Sequence, residues 1–281
     1  LLIIWLYQHF SSLSLKGMSL IFETGQKKRE EIPLALVPLV IICTWITHLF
    51  GGSAGREGVA VQIGATISHE AGRRLHIKEK TPVMLITGMA AGFGGLFQTP
   101  LAAVFFAMEV IVAGYMEYDA LLPALIAAYT ASTTSHMLGL EKFAVNITEN
   151  WNISGSRDVL ILIILGVVFG LTGRFFSALL QKAKKLFGEK ISNPFIRIAT
   201  LAVPLAILLF AIHSGRYTGL GTNLISASFA GETIYGYDWI LNYFLRFSHW
   251  QLVSRAVKSH LYFPSVLPSE LSSDHFLVFH L

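Results

Sequence analysis

Residues 48–67, HLFGGSAGREGVAVQIGATI, place two adjacent charges inside a glycine-rich stretch. An apolar run at 33–50 leads directly into it, and Arg56 and Glu57 follow with glycines on both sides. Ionisable side chains within a membrane are rare and are functional candidates by default. What Glu57 does therefore depends on whether this part of the chain lies in a membrane.

The composition of the chain predicts an integral membrane protein. Of 281 residues, 53% are hydrophobic and 14% are charged, whereas a soluble domain carries about 25% charged residues. Some apolar segments approach the roughly 20 residues that cross a bilayer, and others are short and interrupted by glycine or proline. We therefore expect an all-α membrane protein with broken and re-entrant helices. The apolar segments are 33–50, 81–97, 100–115, 120–139, 158–181 and 195–213.

The basic residues are distributed as they are in the loops and helix ends of a membrane protein. The formal net charge is +4, and the lysines and arginines lie in short clusters at 27–29, 73–80 and 182–190, between apolar segments. We therefore expect a lipid bilayer, and no nucleic acid, as the partner of these charges. The single cysteine excludes an internal disulfide framework, and no residues have metal-ligand spacing, so neither a metal nor another cofactor is expected.

Two interpretations of the stretch at 51–58 start from its glycines. GGSAG fits the G-x-S-x-G nucleophile elbow of hydrolases, with Ser53 as nucleophile, but that motif needs a preceding strand, and an apolar helix precedes it here. Alternatively, a helix beginning near Glu57 and continuing toward Arg74 exposes unpaired N–H groups that attract an anion. On residue types alone, Glu57 either occupies that anion site or pairs with Arg56.

Two segments resemble conserved motifs of the CLC family of chloride channels and proton exchangers. GREGVAVQIG (55–64) is similar to G-[KR]-E-G-P-x-x-Q-x-G, and GMAAGFGGLFQTPLAAVFFAMEV (88–110) is similar to the next motif of that family. The resemblance covers roughly residues 15–240. It implies an inverted-repeat helical bundle, of which this chain holds the first half and the start of the second. It also implies a homodimer with one pore per subunit and Glu57 as the gating and proton-coupling residue.

Three departures from the family pattern resemble its fluoride-exporting branch. GMSLIFE (17–23) matches the family's first motif and puts Met18 where chloride transporters have a serine. Val59 replaces the proline of the second motif. Val110 stands where many chloride/proton exchangers have an internal glutamate that relays protons. The resemblance thus favours fluoride/proton antiport across a cell membrane over chloride conduction, with a halide anion and a proton as the transported partners.

The resemblance also implies a set of anion-binding residues. Backbone N–H groups from Gly55 to Val59 and from a loop at 94–98 would surround the anion, and Met18 would lie near its inner path. The candidate anion-binding residues are Gly55, Arg56, Gly58, Val59, Met18, Phe97 and Gln98. Two other functions stay open: a chloride channel without proton coupling, and a truncated chain that never assembles a pore.

The C-terminal segment differs in composition from the rest of the chain. We expect residues 1–241 to form an incomplete transport domain and 242–281, which lack glycine, to be an aberrant tail. Reading the codons of Val253–Glu270 two bases later permits FKGGEVTPLFSIGASLG, which resembles the fluoride branch's motif GGEVTP. We therefore expect a frameshift between codons 240 and 253. At the other end the chain opens on an apolar run without a signal peptide, which suggests that it continues a longer protein.

Three further charged or titratable residues are assigned ordinary structural roles. Glu109 is expected to pair within the protein rather than to carry protons, because it lies on an apolar helix. His69 and Glu70 fall near the polar end of the helix that follows Glu57. They are expected to be solvated or to cap that end.

Overall fold

The structure is a computed structural model. It describes most of the first 190 residues and parts of the remainder. It divides into two compact units, Leu1–Ala144 and Val145–Leu281. Every regular element in the described ranges is helical, which confirms the expected all-α class. The described residues are 2–52, 55–77, 81–112, 114–142, 144, 155–190, 196, 199–200, 202–204, 206–207, 219 and 221–238.

Several α-helices coincide with the apolar segments of the sequence, whereas the helix at 57–74 is of mixed polarity. Short 3₁₀ helices at Ser12–Lys16 and Tyr118–Ala120 precede α2 and α7. Most of the segment at 195–213 and all of the tail at 242–281 lie outside the described residues. The α-helices are α1 (Leu2–Phe10), α2 (Met18–Gly25), α3 (Leu36–Leu49), α4 (Glu57–Arg74), α5 (Thr81–Phe97), α6 (Pro100–Val110), α7 (Leu121–Met137), α8 (Ser156–Lys190) and α9 (Thr222–Phe229).

The antiparallel pair α4–α5 is the centre of the first unit, and glycines allow its close approach. A Cβ on Gly88 would collide with the carbonyl oxygen of Gly64, and a Cβ on Gly92 would collide with that of Ala60. Such positions accept only glycine, because a side chain would push the two backbones apart. One polar contact adds to this packing, since the Ser68 hydroxyl donates to the carbonyl of Met84 at 2.5 Å.

An apolar cluster in the first unit includes side chains of this helix pair and of the helices around it. Side chains from α2, α5, α6 and α7 are fully buried in it, so the first unit has a core of its own. Small residues line the contacts of α5 with α6 and α7, as is usual where helices pack without a strong hydrophobic driving force. Its fully buried members include Leu20, Ile21, Leu36, Leu85, Met89, Ala103, Val104, Ala107, Ala124 and Ala128.

The loop that the sequence suggested at 94–98 is helix as far as Phe97. Gly94 and Gly95 do not end α5, because both face α7: a Cβ on Gly94 would lie 3.1 Å from the carbonyl oxygen of Ala128. The break comes at Gln98, which has a left-handed φ of 53°. Pro100 then starts α6 at its first position, where proline is favoured. The expected loop is therefore confined to two residues.

In the second unit, α8 is a long helix whose apolar part is exposed on all sides. Residues Ser156–Leu179 form the one stretch in the described ranges that is long and apolar enough to cross a membrane. None of its most apolar window is buried within the chain. The shorter α9 begins after Gly221, which has a left-handed φ of 72°.

Candidate functional site

Glu57 is the first residue of α4, and its carboxylate folds back over Gly55. A Cβ on Gly55 would collide with Oε2 of Glu57, so the absence of a side chain at position 55 makes the space that the carboxylate occupies. In the described part of the chain, no ion pair within 4.0 Å joins Glu57 to Arg56. The pairing that the sequence left open is therefore absent here, and the carboxylate stays available at the helix end.

The N-terminus of α4 is uncapped in the described residues. Arg56 occupies the N-cap position without a side-chain hydrogen bond to the helix. The first bond that closes the helix runs from the N–H of Ala60 to the carbonyl of Arg56, which leaves the N–H groups of Glu57, Gly58 and Val59 without an intrahelical acceptor. These groups carry the positive end of the helix dipole. The candidate residues at 55–59 thus surround a helix end that can attract an anion.

A second helix N-terminus meets α4 one turn further along. Gly17 precedes α2 with φ 52° and ψ −126°, and Met18 is the first residue of that helix, partly buried against the core. A Cβ on Gly17 would lie 3.6 Å from Oε1 of Gln62, and a Cβ on Gly58 would lie 3.8 Å from its Nε2. The Gln62 side chain therefore bridges the start of α2 and the first turn of α4, and so connects the surroundings of Met18 and Glu57.

Gln62 is the site residue that the sequence argument did not select. Within the described ranges its side-chain amide makes no hydrogen bond, although it lies between two uncapped helix starts. The signal was present in the sequence, because Gln62 follows Gly58 by four residues and so lies one turn above it on the same helix face. An amide donor at this place can contact an anion or the carboxylate of Glu57.

A cluster of ion pairs holds the segment before Met18 against α2. Lys16 is buried, with its side chain 5% exposed, and its Nζ donates to both carboxylate oxygens of Glu23 at 2.8 and 2.6 Å. Arg29 donates to the same carboxylate at 3.2 Å. Both carboxylate oxygens of Glu23 accept from the Lys16 ammonium. This lysine therefore positions the start of α2, and we do not assign it to the anion site.

The C-terminal end of α5 lies level with Glu57. Since α4 and α5 are antiparallel and Ala60 opposes Gly92, residues near 95–97 oppose the first turn of α4. Phe97 joins an aromatic cluster through Phe93, at 4.6 Å between ring centroids. Gln98 follows directly after the helix.

The two donor groups of Gln98 are used within the first unit. Its backbone N–H bonds the carbonyl of Gly94 at 2.9 Å, and its side-chain amide donates to the carbonyl of Leu140. Phe97 contributes an aromatic ring at the same end of α5. The anion-binding roles of Phe97 and Gln98 therefore stay predictions, and the donors of Gln98 do not add support.

The opposite end of α4 carries a group of charged side chains. Glu70 binds Arg73 and Arg74, each at 2.8 Å, and Arg73 also lies 3.8 Å from Glu31. The hydrogen bond from Arg74, together with the charge of Arg73, holds the pKa of Glu70 below its ordinary value, so that its carboxylate is ionised at neutral pH. The predicted polar end of this helix is thus present, and Glu70 lies in it.

His69 is not at the surface, contrary to the expectation that it is solvated or capping. It is 6% exposed, and its ring makes a hydrogen bond to the backbone of Glu30. The other polar ring atom, Nδ1, is buried and has no hydrogen-bond partner in the described structure. The loop before α3 covers the ring, a contact 39 residues distant in sequence that no local pattern reveals.

Glu109 is exposed, although the sequence predicted that it pairs within the protein. It is exposed on the face of α6 that points away from buried Ala103 and Ala107. In the described ranges no cation lies within ion-pair distance of it. The next residue, Val110, is partly buried against the apolar core. The expected intramolecular pairing of Glu109 is therefore not found in the described structure.

Ser53, the candidate nucleophile of the disfavoured hydrolase motif, lies outside the described residues. Within the described residues, no group of three or more His, Cys, Asp or Glu side chains could hold a metal ion.

The match to a family profile decides the family. The profile described as "Voltage gated chloride channel" matches residues 1–265, which is most of the chain. The chain belongs to the voltage-gated chloride channel family. The resemblance that the motifs at 55–64 and 88–110 indicated is thereby confirmed, and with it the helical membrane fold. Members of this family are integral membrane proteins, which confirms that this chain is one.

Individual members of the voltage-gated chloride channel family are similar over much of this chain. A "Chloride/fluoride channel protein" of Pseudomonas syringae pathovar tomato is 32% identical over 231 residues, 80% of this chain and 51% of the relative. The H(+)/Cl(−) exchange transporter ClcA of Yersinia pestis is 25% identical over 63% of this chain and 38% of its own length. The chain therefore spans about half, or less, of these curated relatives.

A solved structure is similar to this chain in both sequence and geometry. The crystal structure of a CLC-type fluoride/proton antiporter is 46% identical and superimposes with a TM-score of 0.84. It covers 89% of this chain, while this chain covers 63% of that protein. The helices that position Glu57 and Met18 thus belong to a fold that this chain shares with 63% of the antiporter.

Proposed function

We propose that the protein takes part in proton-coupled transport of a small halide anion across the membrane, with fluoride favoured over chloride. One observation carries the proposal: the Glu57 carboxylate is unpaired in the described structure and lies at an uncapped helix N-terminus. The family membership and the relatives named for fluoride and chloride transport support the same function.

The mechanism follows from the chemistry of that helix end. A carboxylate and a halide ion carry the same charge and compete for the N–H groups of Glu57, Gly58 and Val59. Protonation neutralises Glu57 and lets the carboxyl group leave, so that the anion can enter as the proton is taken up. Gly55 provides the space for this movement, because a side chain there would overlap the carboxylate.

The preference for fluoride rests on the residues that depart from the chloride pattern. Met18 removes the hydroxyl donor that a serine would supply at the start of α2, and Val59 and Val110 replace a proline and an acidic residue. The 46% identity to a fluoride/proton antiporter, against 25% to a chloride/proton exchanger, supports this choice. The alternative function is a chloride channel without proton coupling. Anion efflux without accompanying proton movement, in the experiment described next, would indicate this alternative.

The decisive measurement is anion efflux from proteoliposomes with the proton flux recorded at the same time. We expect the wild-type chain to move protons against fluoride. Glu57→Gln should reduce proton movement at least tenfold, because an amide cannot take up the proton. Glu109→Gln is the matched control, since that glutamate is exposed and outside the site, and its proton flux should equal that of the wild type. Unchanged coupling in Glu57→Gln would refute the proposed role.

Assembly, location and completeness form a further part of the proposal. We infer a homodimer in the cell membrane, with residues 1–241 as part of the transport domain and 242–281 as a segment read in a shifted frame. Resequencing the gene across codons 235–290 tests the frame. A single-base change that restores GGEVTP supports it and directs efflux assays to the repaired gene. If the printed frame is correct, the alternative of a chain that does not assemble a pore gains support.

A further inference from the structure

A charged side chain lies buried beside the start of α2. Among the lysines and arginines whose side chains the structure describes, Lys16 is the only buried one, and its side chain is 5% exposed. Removing an ammonium group from water is costly unless a carboxylate pairs with it. The carboxylate that compensates this charge belongs to α2 itself, so the ion pair connects the segment before Met18 with the helix that Met18 begins.

The ion pair bridges a sharp turn at Gly17. Lys16 ends the 3₁₀ helix that precedes the turn, and Glu23 lies in α2 seven residues later. Gly17 has φ 52° and ψ −126°, a conformation that only glycine adopts without strain. Because the Lys16 ammonium donates to both carboxylate oxygens of Glu23, the segments on the two sides of this turn are held against each other.

A second cation holds the Glu23 carboxylate from beyond the other end of α2. The Arg29 side chain donates to Oε2 of Glu23 at 3.2 Å, and the backbone N–H of Lys28 bonds to the Glu23 carbonyl at 2.8 Å. The carboxylate is thus fixed by two cations that come from opposite ends of the helix. Loss of Lys16 alone would leave Arg29 to compensate Glu23, so a variant without the lysine keeps this carboxylate paired.

Met18 is the candidate site residue whose position depends most directly on this arrangement. It begins α2 two residues after Lys16, and its side chain is partly buried against the apolar core. Methionine is unbranched and flexible, so its thioether occupies a defined place only if the backbone that carries it is fixed. A Cβ on Gly17 would lie 3.6 Å from Oε1 of Gln62. Movement of the Gly17 turn would therefore move Met18 relative to α4.

We propose that the Lys16–Glu23 ion pair, supported by Arg29, positions Met18 and thereby sets the preference for fluoride over chloride. This inference rests on the proposed function, in which Met18 lies near the inner path of the anion. Lys16 is a positioning residue, because Glu23 engages its ammonium and its effect on the anion passes through Met18. A loosened turn would let the Met18 side chain leave its place, and the site would then distinguish the two halides less well.

The first test measures fluoride and chloride efflux from proteoliposomes. Lys16→Leu should lower the ratio of fluoride to chloride efflux about fivefold or more, whereas Lys16→Arg, which keeps the charge, should stay within about twofold of the wild type. Lys28→Leu is the matched control and should leave the ratio unchanged. Lys28 is exposed, and in the described residues no carboxylate lies within 4.0 Å of its ammonium. An unchanged ratio in Lys16→Leu would overturn the inference and leave the role of Glu57 intact.

A double-mutant cycle shows whether Lys16 acts through Met18. Met18→Ser alone should also lower the ratio of fluoride to chloride efflux. If both residues act through the same side chain, adding Lys16→Leu to Met18→Ser should change the ratio by less than about twofold further, because the effects of coupled residues are not additive. Losses that multiply independently would show that Lys16 acts elsewhere, and they would overturn the inference.

A second measurement needs no transport. The chain has six methionines, and carbon-13 NMR of their methyl groups in lipid nanodiscs reports on each environment, with Met18→Leu identifying the Met18 resonance. Lys16→Leu should move that resonance and leave in place those of Met89 and Met108, which are fully buried in the core. A fixed Met18 resonance would overturn the inference. Displacement of all three resonances would also overturn it, since Lys16 would then support the fold in general.

Glu23→Asp tests the same contact if Lys16→Leu does not fold. This variant keeps every charge but shortens the carboxylate by one methylene group, so the ion pair can persist only if the segment before Met18 shifts. The Met18 resonance should therefore move here too, and a fixed resonance would overturn the inference. If the wild type moves no fluoride while the Met18 resonance responds to these variants, the proposed function fails and the positioning of Met18 stands.

Discussion

The glycines of α4 and α5 and the glycines of α8 occupy opposite surroundings. In the first unit, Gly64, Gly88 and Gly92 each face the backbone of the partner helix, closer than any side chain would allow. In α8, a Cβ on Gly166 or on Gly170 would meet nothing within 4 Å. The same residue type therefore permits backbone contact in one helix pair and leaves open surface on another helix.

These contrasting surroundings indicate which contacts stabilise each unit. The first unit buries small residues where α4 meets α5, and this backbone contact fixes the distance between the two helices. The apolar face of α8 is exposed on all sides within its own unit and must be covered by lipid or by further protein. Glycine substitutions in the two regions should therefore have graded effects that follow from what the new methyl group meets.

The largest effect is expected for Gly88→Ala. The added methyl group would overlap the carbonyl of Gly64 and the side chain of Ser68, and backbone cannot move aside as a rotamer can. Separation of α4 from α5 should cost about 3 kcal/mol or more of the free energy of unfolding. Denaturant unfolding in detergent micelles, followed by tryptophan fluorescence, measures this. A midpoint equal to that of the wild type would show that the pair is not packed as described.

A smaller effect is expected for Gly72→Ala, at the other end of the same helix pair. Here the methyl group would lie 2.9 Å from Cγ of Met84, a flexible side chain that can change rotamer. The cost should be about 1 kcal/mol, partly offset by the better helix propensity of alanine. The same unfolding experiment should place this variant between Gly88→Ala and the wild type. A loss as large as that of Gly88→Ala would contradict the distinction between backbone and side-chain contact.

The smallest effect is expected for Gly166→Ala in α8. Nothing surrounds this position within the chain, so only helix propensity changes, and the variant should be between neutral and about 1 kcal/mol more stable. A stability loss above about 1 kcal/mol would show that a partner covers Gly166 closely, and crosslinking of the detergent-solubilised protein would then identify that partner as a second copy or as another protein.

The sequence predicted the elements that local signals define. The start of α4 at Glu57 followed from the glycines around it, and its polar end near Arg74 followed from adjacent arginines. The burial of His69 could not be foreseen, because the group that covers it comes from the Glu30 backbone. Likewise, Gly94 and Gly95 suggested a loop where α5 continues, since their role depends on Ala128 and Ala131 of α7, more than 30 residues away.

Some residues of the candidate site could likewise be located from neighbouring sequence, and others only from contacts between distant segments. Glu57, Gly58 and Val59 could be located from a motif, since they follow one another at a helix start. Gln62 acquires its place from Gly17, which a different segment brings to it. Distances across segments therefore decide which polar residues belong to the site, and a single sequence does not contain them.

The length of α8 gives the protein a way to match its surroundings. Its apolar stretch of 24 residues is about 36 Å long, while the hydrocarbon layer of a typical bilayer is about 30 Å thick. The surplus lets the helix incline in a thin bilayer and stand more upright in a thick one. A change in lipid chain length can thus be met in part by a change in the tilt of α8.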